Sequence, residues 1–162
     1  MIDTRKNIET RPRTLSRIAA VQAIFQWEQG DEKSASHLIE QFLLYRTNKK
    51  ADYNEGKIHI GNKTLFSEVV KKVIQNGTQI DQYLSEALPD EWPLNRLDPV
   101  LRALLRAGSA ELMNPKEPPT RVVINEYIDV AHSFFDGDES RMVNGVLDTV
   151  ARRLRSEEQA IV

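Results

Sequence analysis

Between Leu65 and Leu88 the apolar residues return every three or four positions, as Leu65/Phe66, Val69/Val70, Val73/Ile74, Ile80, Leu84 and Leu88. A helix turns once in about 3.6 residues, so this spacing lines them along one stripe. A half-buried strand would need apolar and polar residues to alternate, and no stretch keeps that alternation for a useful length. The same helical spacing recurs elsewhere. Ile18, Val21, Ile24 and Phe25 give a first segment its core face, and Leu38, Ile39, Phe42 and Tyr45 form a second. Leu101, Leu104/Leu105, Gly108 and Leu112 form another, followed by Ile124, Tyr127, Ile128, Ala131 and Phe134/Phe135, and by Met142, Val146, Val150 and Leu154. The chain is expected to be all-α, with six to seven helices, no sheet and no repeat of fixed period.

The punctuation agrees with that count. Pro12 suits a first helical turn, and Gly30 ends that helix. Ser34 is a candidate N-cap, and Gly77 is a candidate bend in the long helix. Pro89 to Pro93 interrupts the pattern, with Trp92 expected to pack over a helix end. Asp98-Pro99 is a start signal, a capping carboxylate followed by proline at the first helical position. Asn114-Pro115 stops that helix and Pro118-Pro119 stiffens the approach to the next. Asp136-Gly137-Asp138-Glu139-Ser140 makes a polar elbow in which Asp138 or Ser140 caps the last helix. The layout expected is a flexible basic arm at 1–11, an N-terminal helical subdomain at 12–88 with a mobile loop at 47–62, and a C-terminal helical subdomain at 97–156. The break at 89–96 divides two helical layers of one compact domain.

Length and composition narrow the function classes. A chain of 162 residues can bury roughly two thirds of its unfolded surface in a single core. Cysteine is absent, which removes disulfides, thiolate nucleophiles and cysteine metal sites, and fits a cytoplasmic location. No apolar run approaches the ~20 residues that span a membrane, and the polar N-terminus does not read as a secretory signal. The net charge is −2, but it is unevenly spread. Residues 1–17 carry Arg5, Lys6, Arg11, Arg13 and Arg17 against Asp3 and Glu9, so a basic arm precedes an acidic body.

Little points to catalysis, a metal or a cofactor. His37, His59 and His132 stand apart, and Asp129 with His132 is a single i, i+3 pair without companions. The acidic elbow lacks the ligand spacing of a calcium loop. No phosphate-binding glycine loop or nucleophile elbow is present. Gly145, in mid-helix, costs about 1 kcal/mol relative to alanine, and a closely approaching neighbour helix is the expected reason. Lys49, Lys50 and Lys57 read as a solvated loop, and Arg152, Arg153 and Arg155 as complements to a helix dipole. The arm is the best chemical feature. Arginine forks onto phosphate oxygens and stacks on unpaired bases, so Arg11, Arg13 and Arg17 can straddle a single strand; a solubilising tail is the competing reading.

Two blocks, VINEYIDVAHSFF and VNGVLDTVARRL, resemble the most characteristic segment of the NusB family of transcription antitermination factors. Ile124-Asn125-Glu126 and Val143-Asn144-Gly145-Val146-Leu147-Asp148 match it position by position and at the right separation. RPRTLSRIAAVQAIFQW is similar to the family's arginine-rich segment and first helix, with the arginine run interrupted by Thr14 and Leu15. The resemblance covers roughly 11–46 and 62–155, and the loop at 47–62 is longer than in many members. It implies two small helical bundles packed together and no enzymatic activity. It also implies binding of boxA-type single-stranded RNA together with ribosomal protein S10 (NusE), within the RNA polymerase antitermination complex that serves ribosomal RNA operons. RNA contacts are implied at Arg11, Arg13 and Arg17, and at the elbow by Phe134, Asp138, Arg141 and Met142, the last replacing a usual Phe. Phe25, Leu101 and Arg102 fall on the partner-binding surface, Leu101 where the family often has Glu. Relatives include monomers and homodimers. An RNA-binding domain related to RNA cytosine methyltransferases, or a helical adaptor for protein alone, are the alternatives.

Overall fold

The computed structural model describes residues 11–30, 34–48 and 61–156. Among them are seven α-helices and no strand: α1 Pro12–Gln29, α2 Ala35–Asn48, α3 Lys63–Gln75, α4 Gly77–Ala87, α5 Pro99–Leu112, α6 Thr120–Phe134 and α7 Glu139–Leu154, with a short 3-10 turn at Leu94–Arg96. The all-α expectation holds. The arm residues Arg5 and Lys6 and the loop residues Lys49, Lys50 and Lys57 lie outside the described residues.

Several boundaries follow the expected chemistry. Pro12 opens α1, and the Gly30 amide closes it by donating to the Gln26 carbonyl. Ser34 Oγ accepts from the His37 amide at 3.2 Å. Asp98 accepts from the amides of Val100 and Leu101 at 2.8 and 3.3 Å, with Pro99 at the first helical position. The long stripe is two helices, broken at Asn76 beside Gly77, where the Asn76 side chain donates to the Lys72 carbonyl. One expectation fails. Asp138 makes no side-chain capping bond at α7, so Glu139 in the first turn supplies the favourable charge there. Trp92 lines a cleft with Leu88 and Pro89, just past the end of α4, and is 53% exposed.

Helix α5 is the centre of the molecule. Every residue from Leu101 to Leu112 is buried, because α1, α3, α4, α6 and α7 all pack on it. Its apolar stripe explains only part of this. The rest of its circumference carries Arg102, Arg106, Ser109 and Glu111, and buried charges must be paired to be tolerated. Arg102 Nε meets Glu28 of α1 at 2.6 Å and its Nη1 donates to the Leu94 and Leu97 carbonyls. Arg106 forks onto Asp81 of α4 at 2.8 and 3.0 Å. Glu111 reaches α1 and α6, as described below. Polar residues of α5 thus fix the helices around it.

The remaining packing is apolar. Helices α6 and α7 form a hairpin packed on α5, while α1, α2 and α3 pack on one another and α1 and α3 also on α5. Phe42 and Phe66 stack at 5.2 Å between α2 and α3. Burying a side chain such as Phe66 contributes about 1.5–3 kcal/mol. Of the glycines in α5 and α7, Gly108 and not Gly145 is the one closely approached. A Cβ on Gly108 would stand 2.8 Å from a Leu147 methyl, whereas a Cβ on Gly145 would meet nothing within 4 Å. Gly145 faces solvent because Val143, Val146, Leu147 and Val150 turn the opposite face of α7 to the core.

Candidate nucleic-acid interface

The first turns of α1 lie across α6. Ionic and hydroxyl contacts span this crossing, and the buried side of α1 carries Ala19, Ala20 and Ala23 beside Val21 and Ile24. Arg11 Nη2 contacts Asp129 at 2.9 Å, Thr14 donates to Glu126 at 2.8 Å, and Arg17 Nη1 stands 3.3 Å from Glu126. Asp129 and Glu126 are three residues apart and so share one face of α6.

Arg17 is not a surface residue, which corrects the expectation that it lies beside Arg13 for RNA to grip. Its side chain is 3% exposed. Its Nε and Nη2 fork onto Glu111 at 2.8 Å each, and the Tyr127 hydroxyl donates to the same carboxylate. Helical periodicity carried the core face of α1 round to this position, and only a buried carboxylate from α5 makes that tolerable. Burial works against the guanidinium charge, but the Glu111 hydrogen bonds and charge outweigh it and raise the Arg17 pKa. Burial, reinforced by the Glu111 charge, holds the Tyr127 phenol well above its ordinary range, with Arg17 opposing. The cluster joins α1, α5 and α6 and positions the start of α1.

Arg13, by contrast, is exposed and lies at the rim of a cleft of about 780 Å³ between α1, α3 and the α5–α6 connection. Lys71 and Lys72 of α3 line the same cleft, with Glu68 and Glu117. Lys72 Nζ donates to Asn114 Oδ1 at 2.5 Å. The connection from Asn114 to Thr120 is tied down by Arg155, which is buried. Arg155 donates to the carbonyls of Glu111, Leu112, Asn114 and Pro118 and to Thr120 Oγ1. It therefore caps the C-terminal carbonyls of α5 rather than merely complementing the α7 dipole.

At the α6–α7 elbow, Asp138 and Arg141 are exposed while Phe134 and Met142 are half-buried, the Phe134 ring lying 6.4 Å from that of Phe135. Asp129 faces Arg11, and no cluster of three metal-ligating side chains occurs among the described residues. The expected partner residues divide. Phe25 is partly exposed, but Leu101 is 4% exposed and Arg102 is committed to Glu28. Leu101 sits on the face of α5 that enters the core, which corrects its assignment to a docking surface. Sequence reading missed Glu111, placed Tyr127 only in an apolar stripe and read Arg155 only as a dipole complement; a charged residue inside an otherwise apolar helix was the available signal for Glu111.

Comparison with known proteins agrees with this architecture. A family model described as the NusB family matches residues 14–152. The chain is 54% identical over 157 residues to the transcription antitermination protein NusB of Granulibacter bethesdensis, covering 95% of this chain and 96% of that protein. It is 49% identical over 148 residues to the corresponding protein of Gluconobacter oxydans, covering 91% of each. A solved structure of T. maritima NusB superposes with a TM-score of 0.71 at 28% identity, covering 93% of this chain and 97% of that one. Sequence and fold together place this chain in the NusB family.

Proposed function

We propose that the chain is an RNA-binding transcription antitermination factor. It would bind boxA-type single-stranded RNA with ribosomal protein S10 (NusE) and keep RNA polymerase processive on ribosomal RNA operons. The chain is not an enzyme; its family relatives are antitermination proteins. Those relatives are matched over nearly their whole length, which favours this reading over a domain appended to an RNA methyltransferase.

The observation that carries the reading is the anchored start of α1. Arg17, Glu111 and Tyr127 fix the helix from beneath, so Arg13 projects from a rigid platform, with Arg11 beside it on Asp129. Phosphate neutralisation by these arginines makes binding salt-dependent. The elbow offers a half-exposed ring and a thioether for base contacts and Arg141 for phosphate, while Asp138 can accept from a base amino group. Phe25 is the exposed part of the partner surface, and Arg102 shapes it through Glu28.

The test is a titration of boxA-containing RNA against the chain with and without the ribosomal partner, over a series of salt concentrations. Arg13→Ala is expected to lower the salt slope by about 0.7, the value for one phosphate on a single strand. Absence of boxA binding by the wild-type pair at low salt would overturn the proposal.

A further inference from the structure

With Arg17 withdrawn into the core, the exposed cations near the arm regroup. Arg13 stands on one wall of the 780 Å³ cleft and Lys71 and Lys72 on another. The floor adds no net charge, because Arg17 and Glu111 cancel there. Three cations then oppose two carboxylates, Glu68 and Glu117, on a chain whose total charge is −2. Lys72 is the informative member. It is held in place, half-buried, by the neutral amide of Asn114, so it is positioned without its charge being cancelled.

We propose that this cleft is a second phosphate-binding stretch, and that single-stranded RNA passing Arg13 continues along α3 over Lys72 and Lys71. The inference rests on the RNA-binding reading above. Two features favour RNA over an acidic protein segment. The cleft is continuous with Arg13, which belongs to both stretches. Among the described residues it also presents no exposed aromatic anchor of the kind that dominates protein interfaces.

The experiment is a fluorescence anisotropy titration of the full chain with end-labelled, unstructured RNAs of about 6 and about 16 nucleotides, lengths that bracket typical single-strand sites. The long RNA is expected to show a salt slope steeper by about 1.4, two phosphates at about 0.7 each. The double variant Lys71→Ala with Lys72→Ala is expected to lose that excess on the long RNA and to bind the short one unchanged. Between about 50 and about 200 mM salt, wild type should therefore lose roughly sevenfold more affinity for the long RNA than the variant does. Lys71→Gln alone, which leaves the Asn114 contact intact, should remove about half of the excess slope. A double variant that is folded and keeps the wild-type slope overturns the cleft. If Arg13→Ala still weakens binding in that case, the RNA reading stands and only this extension falls; if wild type binds neither RNA, both fall. A labelled polyglutamate peptide that binds wild type more tightly than the long RNA, and not the double variant, would assign the cleft to an acidic protein segment and overturn RNA as its occupant.

Discussion

Replacing Arg17 by methionine separates a buried structural role from a surface RNA contact. Methionine keeps most of the side-chain volume, so the change is chiefly electrostatic. It removes both hydrogen bonds to Glu111 and the 3.3 Å approach to Glu126. Glu111, 3% exposed, keeps only the Tyr127 hydroxyl as a hydrogen-bond donor from a side chain. Breaking a buried pair from one side costs about 3–5 kcal/mol, because an uncompensated charge is left inside. For a domain of this size that corresponds to a fall in Tm of roughly 6–20 °C. Urea unfolding should show a lower midpoint with an unchanged slope. Removing the whole network, by Arg17→Met with Glu111→Leu and Tyr127→Phe, should cost much less than the single change, since neither a charge nor a hydroxyl is then stranded. At a temperature where Arg17→Met is folded, its RNA salt slope should equal that of wild type. Stability within about 0.5 kcal/mol of wild type, together with a reduced salt slope, would return Arg17 to the surface.

Three further outcomes follow from the packing. Gly145→Ala should stabilise by about 1 kcal/mol through helix propensity alone, whereas Gly108→Ala should destabilise by about 1–2 kcal/mol because Leu147 must move within a filled core; paired thermal melts give the two signs. Arg155→Ala should cost about 2–3 kcal/mol by stranding the last carbonyls of α5, and hydrogen exchange should speed up from Asn114 to Thr120. The Tyr127 phenol titrates higher in the folded chain than its unfolded value of about 10, so its contribution is complete below that pH and is lost as pH rises above it. Urea unfolding across this alkaline range should show a shallower decline for Tyr127→Phe than for wild type.

Fold class and most helix boundaries can be read from the order of the amino acids alone. Those depend on spacing and on residues that act locally: the stripe from Leu65 to Leu88, the Asp98-Pro99 start, the Ser34 cap and the Gly30 stop. That order also located the arm junction and the elbow, because charge and helical hairpins are visible along the chain. Which face of a helix is buried all round was not visible. Periodicity marks one apolar stripe on α5, yet Arg102, Arg106 and Glu111 are buried as well, because Glu28, Asp81 and Arg17 arrive from helices distant in sequence. That pairing withdrew Arg17 from the surface, while apolar packing of the neighbouring helices covered Leu101, brought Leu147 against Gly108 and left Gly145 open. Local propensity is written residue by residue, but the pairing of a buried charge depends on a second residue that comes near only when the chain folds.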